Sequence, residues 1–274
     1  MERTASEPLL SCQGVDKYFG ALAAVRDMTF DVFPGEALGI GGPNGAGKTT
    51  LFDVISGLNP ATAGSITFDG KIVTRTTPDR TCQLGMARTF QLNAGFDTLS
   101  ARENTLIAAY FGRHNRFVPG MRFDRESQRL ADEAMEFVGL HEVAHEATQT
   151  LPVYHRKLLM VAGALATQPK LLLMDEPVGG LNPQEIDDVM ALVRRLKERG
   201  LTIMLIEHVM RFLVRLSDRV LIMHHGEKIF EGSASGLVYD KTVVDVYLGE
   251  GSSRRLRHLL EDDPSPDEGA PSAP

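Results

Sequence analysis

The residues best suited to chemistry form one uninterrupted run, Gly42-Pro43-Asn44-Gly45-Ala46-Gly47-Lys48-Thr49, with Thr50 directly after it. Glycines in a G-x-x-x-x-G-K-[ST] pattern let backbone N–H groups turn inward around phosphates, and a helix N-terminus beyond them adds positive potential. Lys48 can then reach the β- and γ-phosphates, and the Thr49 hydroxyl can hold Mg2+. The flanks agree: an apolar strand-like run (37–40) leads in and a helix-like run (50–55) leads out. The chain is therefore expected to bind a nucleoside triphosphate.

A second run, Leu171-Leu172-Leu173-Met174-Asp175-Glu176, ends four apolar residues in two acids. A buried strand of this kind presents its carboxylates at the C-terminal sheet edge, where open α/β sheets bind ligands. Downstream of a phosphate loop, Asp175 is suited to hold Mg2+ through water, and Glu176 to polarise an attacking water as general base.

The elements that must position these residues follow from hydrophobic pattern and turn chemistry. Residues 9–33 alternate around turn signals at Phe19-Gly20 and Pro34-Gly35, which predicts antiparallel strands. Asp69-Gly70 between residues 65–68 and 71–73 predicts a hairpin. From about 97 to 166 the pattern turns helical, with Leu130, Ala134, Phe137 and Val138 on one face and Gly139 as a stop. An amphipathic helix is predicted over 183–199, its stripe formed by Ile186, Val189, Met190, Val193 and Leu196, and Gly200 ends it. Residues 201–206 read as another buried strand, and 220–223 and 228–230 flank a turn at His225-Gly226. A mainly parallel α/β core is expected, with an N-terminal antiparallel β subdomain and a helical subdomain (95–166) inserted within residues 1–249. Residues 250–274 are charged, rich in Pro and Ser and without apolar period, and read as a disordered tail.

The 274 residues are ample for a large core, and the formal net charge of −7 gives no basic footprint for nucleic acid. Two cysteines, Cys12 and Cys82, make no disulfide framework and suit a reducing compartment. The apolar runs fall short of the ~18 residues that a membrane span needs, and residues 1–8 do not read as a signal peptide. His114, His141, His145, His224 and His225 lack metal-ligand spacing and read as surface or structural.

Taken in order, the phosphate loop, Arg88-Thr89-Phe90-Gln91, a helical stretch, the Asp175-Glu176 strand and Glu207-His208 after another strand resemble an ABC-transporter ATPase subunit over roughly residues 9–249. Lys17-Tyr18-Phe19-Gly20, Ala87-Arg88-Thr89-Phe90-Gln91, Arg102-Glu103-Asn104 and Asp175-Glu176-Pro177 with Gly180-Leu181-Asn182-Pro183 are similar to the branched-chain (hydrophobic) amino-acid uptake group. The resemblance implies that Phe19, or Tyr18 beside it, stacks on adenine. It implies that Gln91 senses the Mg2+ and water site and links it to the helical subdomain touching the permease. It further implies that residues 179–182 communicate across a dimer and that His208 contacts the γ-phosphate. Three of these have a bland alternative: a core aromatic at 19, a polar loop residue at 91, a strand-end histidine at 208. Partners so implied are a second ATPase subunit and integral membrane permease subunits, at the cytoplasmic face of the inner membrane. The alternative is a nucleotide-gated scaffold with little hydrolysis. Cargo rests on the resemblance alone, because related importers for amides or urea look alike at this level.

One stretch departs from the family. ABC ATPases pair head to tail, and a Leu-Ser-x-Gly-Gln signature on one subunit completes the other's phosphate site. Here Leu151-Pro152-Val153-Tyr154-His155 occupies that place. Pro152 supplies neither hydroxyl nor N–H, Tyr154 puts a ring where backbone should approach phosphate, and Gly163 stands where the family usually has Arg. The helix should survive, since Pro is tolerated in a first turn. Losing two hydrogen bonds to a charged group, each about 1.5–3 kcal/mol, should weaken that half-site about a hundredfold or more, unless His155 supplies a donor. A heterodimer is expected, in which this chain's own Lys48, Gln91, Glu176 and His208 are completed by a partner with an intact signature, whereas a homodimer is weak or inactive.

Overall fold

The computed structural model describes residues 7–90, 95–113 and 123–248. Gln91, His114 and the 250–274 tail lie outside these residues.

The chain opens with strands β1 (Leu10–Phe19) and β2 (Leu22–Val32), then β3 (Ala37–Gly41) and helix α1 (Lys48–Ile55). Next come β4 (Ala63–Phe68), β5 (Lys71–Ile72), α2 (Pro78–Gln83) and β6 (Met86–Thr89). Helices α3 (Ala101–Phe111), α4 (Arg125–Val138) and α5 (Val153–Ala166) follow. The remainder alternates: β7 (Leu171–Asp175), α6 (Pro183–Glu198), β8 (Thr202–Ile206), α7 (Met210–Leu216), β9 (Arg219–His224), β10 (Glu227–Ser233), then short α8 (Ala234–Leu237) and α9 (Lys241–Val243).

Two sheets result. β2-β1-β4-β5 is antiparallel, and its β4–β5 hairpin turns at Asp69 (φ 49°) and Gly70 (φ 71°), both left-handed, as a tight primed turn requires. The larger sheet runs β10-β9-β3-β8-β7-β6, parallel from β9 to β6 with β10 antiparallel at the edge.

The parallel strands have apolar groups on both faces, and their period of two sorts side chains between two cores. Leu38, Ile40, Leu171, Leu173, Met204, Ile206, Leu221 and Met223 join one core with the antiparallel sheet and with Leu51, Phe52, Val54 and Ile55 of α1. Leu172, Met174, Ile203, Leu205, Val220 and Ile222 face the other, with α6, α7 and the helices α3–α5. Helix α1 is thus held between the sheets, which fixes the phosphate loop at its N-terminus.

Local chemistry sets the helix limits. Asn182 and Glu185 form a reciprocal capping box at the start of α6, with Pro183 in its first turn, as Ser100 and Glu103 do for α3. Left-handed Gly139 (φ 79°) closes α4. The α6 stripe buries Val189, Met190, Val193 and Leu196, while Ile186 is only half-buried; each full burial contributes about 1.5–3 kcal/mol. Pattern reading did not resolve β6 or α7 as separate elements: each is short, and its neighbours decide its conformation.

Candidate nucleotide and hydrolysis site

The phosphate loop leaves the buried strand β3 and turns into α1 through glycines that no other residue could replace without strain. Gly42 (φ 140°), Gly45 (φ 80°) and Gly47 (φ 97°) all lie at positive φ. A Cβ on Gly42 would stand 2.2 Å from the Met223 carbonyl oxygen, and one on Gly47 2.0 Å from that of Ala24. The loop is pinned from the far side by the β9–β10 turn, where Gly226 N–H donates to Ala46 O (3.0 Å) and Arg26 N–H donates to Gly226 O (2.8 Å). Lys48 is buried, and its Nζ donates to Gly42 O (2.8 Å) and Pro43 O (2.9 Å). Burial holds its ammonium below the ordinary lysine value, opposed by the negative charges of Glu176 and Asp175.

An open cleft of about 750 Å3 runs along this loop. Residues 44–50, Phe19, Leu22, Glu176, His208 and His225 line it. Phe19 ends β1, is 49 % exposed, and has the Lys17 ammonium 5.0 Å from its ring centre. Tyr18 does not line the cleft, so of the two aromatics it is Phe19 that faces the site. His225, read from sequence as surface or structural, is a cleft residue instead. The hairpin turn carries it there in a left-handed conformation (φ 50°), with His224 ring-to-ring at 4.0 Å. The Gly226–Ala46 hydrogen bond, between residues 180 positions apart, decides this, so no local pattern announces it.

The acids lie where the strand reading placed them. Asp175 ends β7 and is buried; its Oδ2 accepts from Arg88 Nη2 at 3.0 Å. Burial raises its carboxyl, and Arg88 opposes that. Glu176 adopts a left-handed backbone (φ 49°), unusual for a residue with a side chain and of the kind that clusters at functional sites. Its N–H donates to Ile206 O (2.9 Å), and its Oε1 lies 2.8 Å from His208 Nε2. Lys157 of α5 donates to the Glu176 carbonyl at 2.8 Å.

Behind this pair sits Glu207, buried, to which the sequence reading gave no role. Its carboxylate accepts from Val178 N–H (2.9 Å), His208 N–H (3.1 Å) and Val209 N–H (3.3 Å), tying together the loops that carry Glu176 and His208. Burial raises its carboxyl despite those donors. An acid directly after an apolar strand and before His208 was the available signal.

At the signature position, α5 forms as expected, with Pro152 just before its first residue. Tyr154 lies in the first turn of that helix. It is half-buried, packs on the core and faces the acidic start of α6 (Glu185, Asp188). Val153 beside it is 56 % exposed. His155 Nδ1 is buried without a protein partner. No cluster of His, Cys, Asp and Glu among the described residues could hold a metal by itself, and no helix among them is long and apolar enough to cross a membrane.

Residues 25–179 match the family model for ABC transporters. The branched-chain amino acid transport ATP-binding protein BraF of Pseudomonas aeruginosa is 33 % identical over 253 residues, covering 89 % of this chain and 99 % of that protein. LivG of Escherichia coli, of the same description, is 32 % identical over the same shares. The ADP conformation of MJ1267, an ATP-binding cassette of an ABC transporter, superimposes with a TM-score of 0.81 at 30 % identity, covering 89 % of this chain and 100 % of that one. With phosphate loop, acid-ended strand and inserted helices in this order, the chain belongs to the ATP-binding subunits of ABC transporters.

Proposed function

We propose that this chain hydrolyses ATP to drive an importer of branched-chain or related amino acids, as one half of a heterodimer of nucleotide domains at the cytoplasmic face of the inner membrane. The observation that carries the hydrolytic part is the Glu176–His208 contact of 2.8 Å on the wall of the cleft that holds Lys48. In this reading Phe19 stacks on adenine and the loop N–H groups cradle the phosphates. Lys48 leaves its two loop carbonyls for the β- and γ-phosphates. Glu176 polarises the attacking water, His208 holds the γ-phosphate side, and Gln91 relays the state of the site to the helices.

The hydroxyl of Thr49 and the carboxylate of Asp175 are hard oxygen donors, which fits Mg2+, an ion that keeps several waters and takes few protein ligands. Mg2+ bound there neutralises charge on the phosphates.

Docking of the permease is assigned to an apolar groove of about 320 Å3 between the sheet core and the 95–166 helical subdomain, lined by Cys82, Phe90, Ala108, Leu159 and Gly163 among others. Gly163 lines this groove, so an arginine at that position would extend a long charged side chain into it.

The heterodimer follows from the start of α5. Pro152 and Val153 offer a γ-phosphate no hydroxyl, and Pro152 no N–H, while Tyr154 is engaged with this chain's own core. The test is light scattering of purified Glu176→Gln protein with and without Mg·ATP. The expected result is a monomer that binds ATP, and a homodimer once Pro152→Ser and Tyr154→Gly are added. A tight ATP-driven homodimer without those changes would refute the heterodimer.

A further inference from the structure

Arg88 stands where three elements meet. It projects from β6, its side chain is only 5 % exposed, and its fork is divided between two carboxylates. Nη2 donates to Asp175 Oδ2 at the end of β7 (3.0 Å), and Nη1 donates to Asp53 Oδ1 of α1 (2.7 Å) and to Ser56 Oγ (3.2 Å). The guanidinium lies over the rings of Phe52 (5.7 Å) and Phe90 (5.1 Å). Asp53 is itself fixed by Asn59 Nδ2 at 3.1 Å. The result is a chain from the helix of the phosphate loop to the acid at the sheet edge.

A buried ion pair is a poor way to gain stability, since well-packed apolar groups do as well or better. The directionality of this one is better explained by what it orients. A planar fork can hold two carboxylates on different elements at set distances, which a lysine ammonium cannot.

We propose that Arg88 is a positioning residue for the metal side of the site: it fixes the Asp175 carboxylate against α1, so that the affinity of the nucleotide complex for Mg2+ depends on it. This rests on the reading of Asp175 as the metal-side acid. Arg88 does not line the phosphate-loop cleft and acts only through Asp175.

The experiment measures Mn2+ binding to full-length protein holding a non-hydrolysable ATP analogue, by the electron paramagnetic resonance signal of free Mn2+, and analogue binding in EDTA. Hydrogen-bond partners of metal-holding carboxylates typically contribute 10–100-fold to metal affinity, so Arg88→Met and Arg88→Lys should weaken Mn2+ binding about tenfold or more, with metal-free analogue binding within about twofold of wild type. If Arg88→Met does not fold, Arg88→Lys and Asp53→Asn carry the test. Asp53→Asn loosens the anchor on α1 without touching Asp175, and should weaken Mn2+ binding by a smaller factor. Wild-type Mn2+ affinity in the folded Arg88 variants overturns the proposal. Asp175→Asn separates the two ways this can happen. If it loses Mn2+ while the Arg88 variants do not, the role of Asp175 stands and that of Arg88 falls. If it too binds Mn2+ as wild type, the reading of Asp175 fails first.

Discussion

Replacing Gly47 with alanine tests how tightly the phosphate loop is confined, and Gly45 provides the control. Both glycines are left-handed, at φ 97° and 80°. An L-residue there costs about 1–2 kcal/mol in backbone strain. At Gly45 that is the whole cost, because a Cβ meets nothing within 4 Å. At Gly47 the Cβ would lie 2.0 Å from Ala24 O and 3.3 Å from Ala24 C, atoms of β2 that cannot swing aside as a side-chain end can. Relieving such an overlap costs a further ~1–3 kcal/mol, giving roughly 2–5 kcal/mol in all. At about 2–4 °C per kcal/mol for a domain near this size, Gly45→Ala should lower the melting midpoint by about 2–8 °C and Gly47→Ala by about 4–20 °C. Clearing the Cβ displaces the loop from β2, and with it the N–H groups that would cradle the phosphates. About 1.4 kcal/mol of it appearing there weakens binding of a fluorescent ATP analogue tenfold. The assay is thermal melting by circular dichroism, with analogue titration on the same samples. Equal midpoints for the two variants, or wild-type nucleotide affinity in Gly47→Ala, would refute the claim that the Ala24 carbonyl confines the loop.

Two further outcomes bear on the cleft. The chain contains no tryptophan, so Phe19→Trp creates a single reporter; its fluorescence should be quenched on ATP binding if position 19 stacks on adenine, and the same substitution at Tyr18 should respond far less. Burial holds the Lys48 ammonium below its ordinary value, so across that interval the unfolded chain binds the proton more tightly than the native one. The contribution of this group to stability therefore rises as pH climbs from the lowered value toward the ordinary lysine value. Lys48→Met should flatten part of the increase in urea midpoint between neutral and alkaline pH, leaving the share from Lys157, which burial lowers likewise.

Much of the site was legible in the chain because its signals are local. A phosphate loop needs glycines at fixed offsets between a strand and a helix, and residues 42–50 carry that requirement in nine consecutive positions. Likewise four apolar residues ending in Asp175-Glu176 specify both a buried strand and the edge at which its acids emerge. The Asp69-Gly70 hairpin and the α6 stripe were equally direct, since a left-handed turn and a 3.6-residue period depend on neighbours in sequence. The positions of Gln91 and the 250–274 tail lie outside the described residues.

What the sequence could not hold is the pairing of distant groups. Strand order β10-β9-β3-β8-β7-β6 places the β9–β10 turn against Ala46, and only that brings His225 into the cleft. It also sets β6 beside β7, so that Arg88 meets Asp175 across 87 residues. The same folding packs part of the Tyr154 ring against its own core. Residue types thus determined that this chain binds phosphate and where acids would emerge. The tertiary structure alone decided which charges face one another, because a buried charge is tolerated only beside a partner, and the sheet, not the local pattern, supplies that partner.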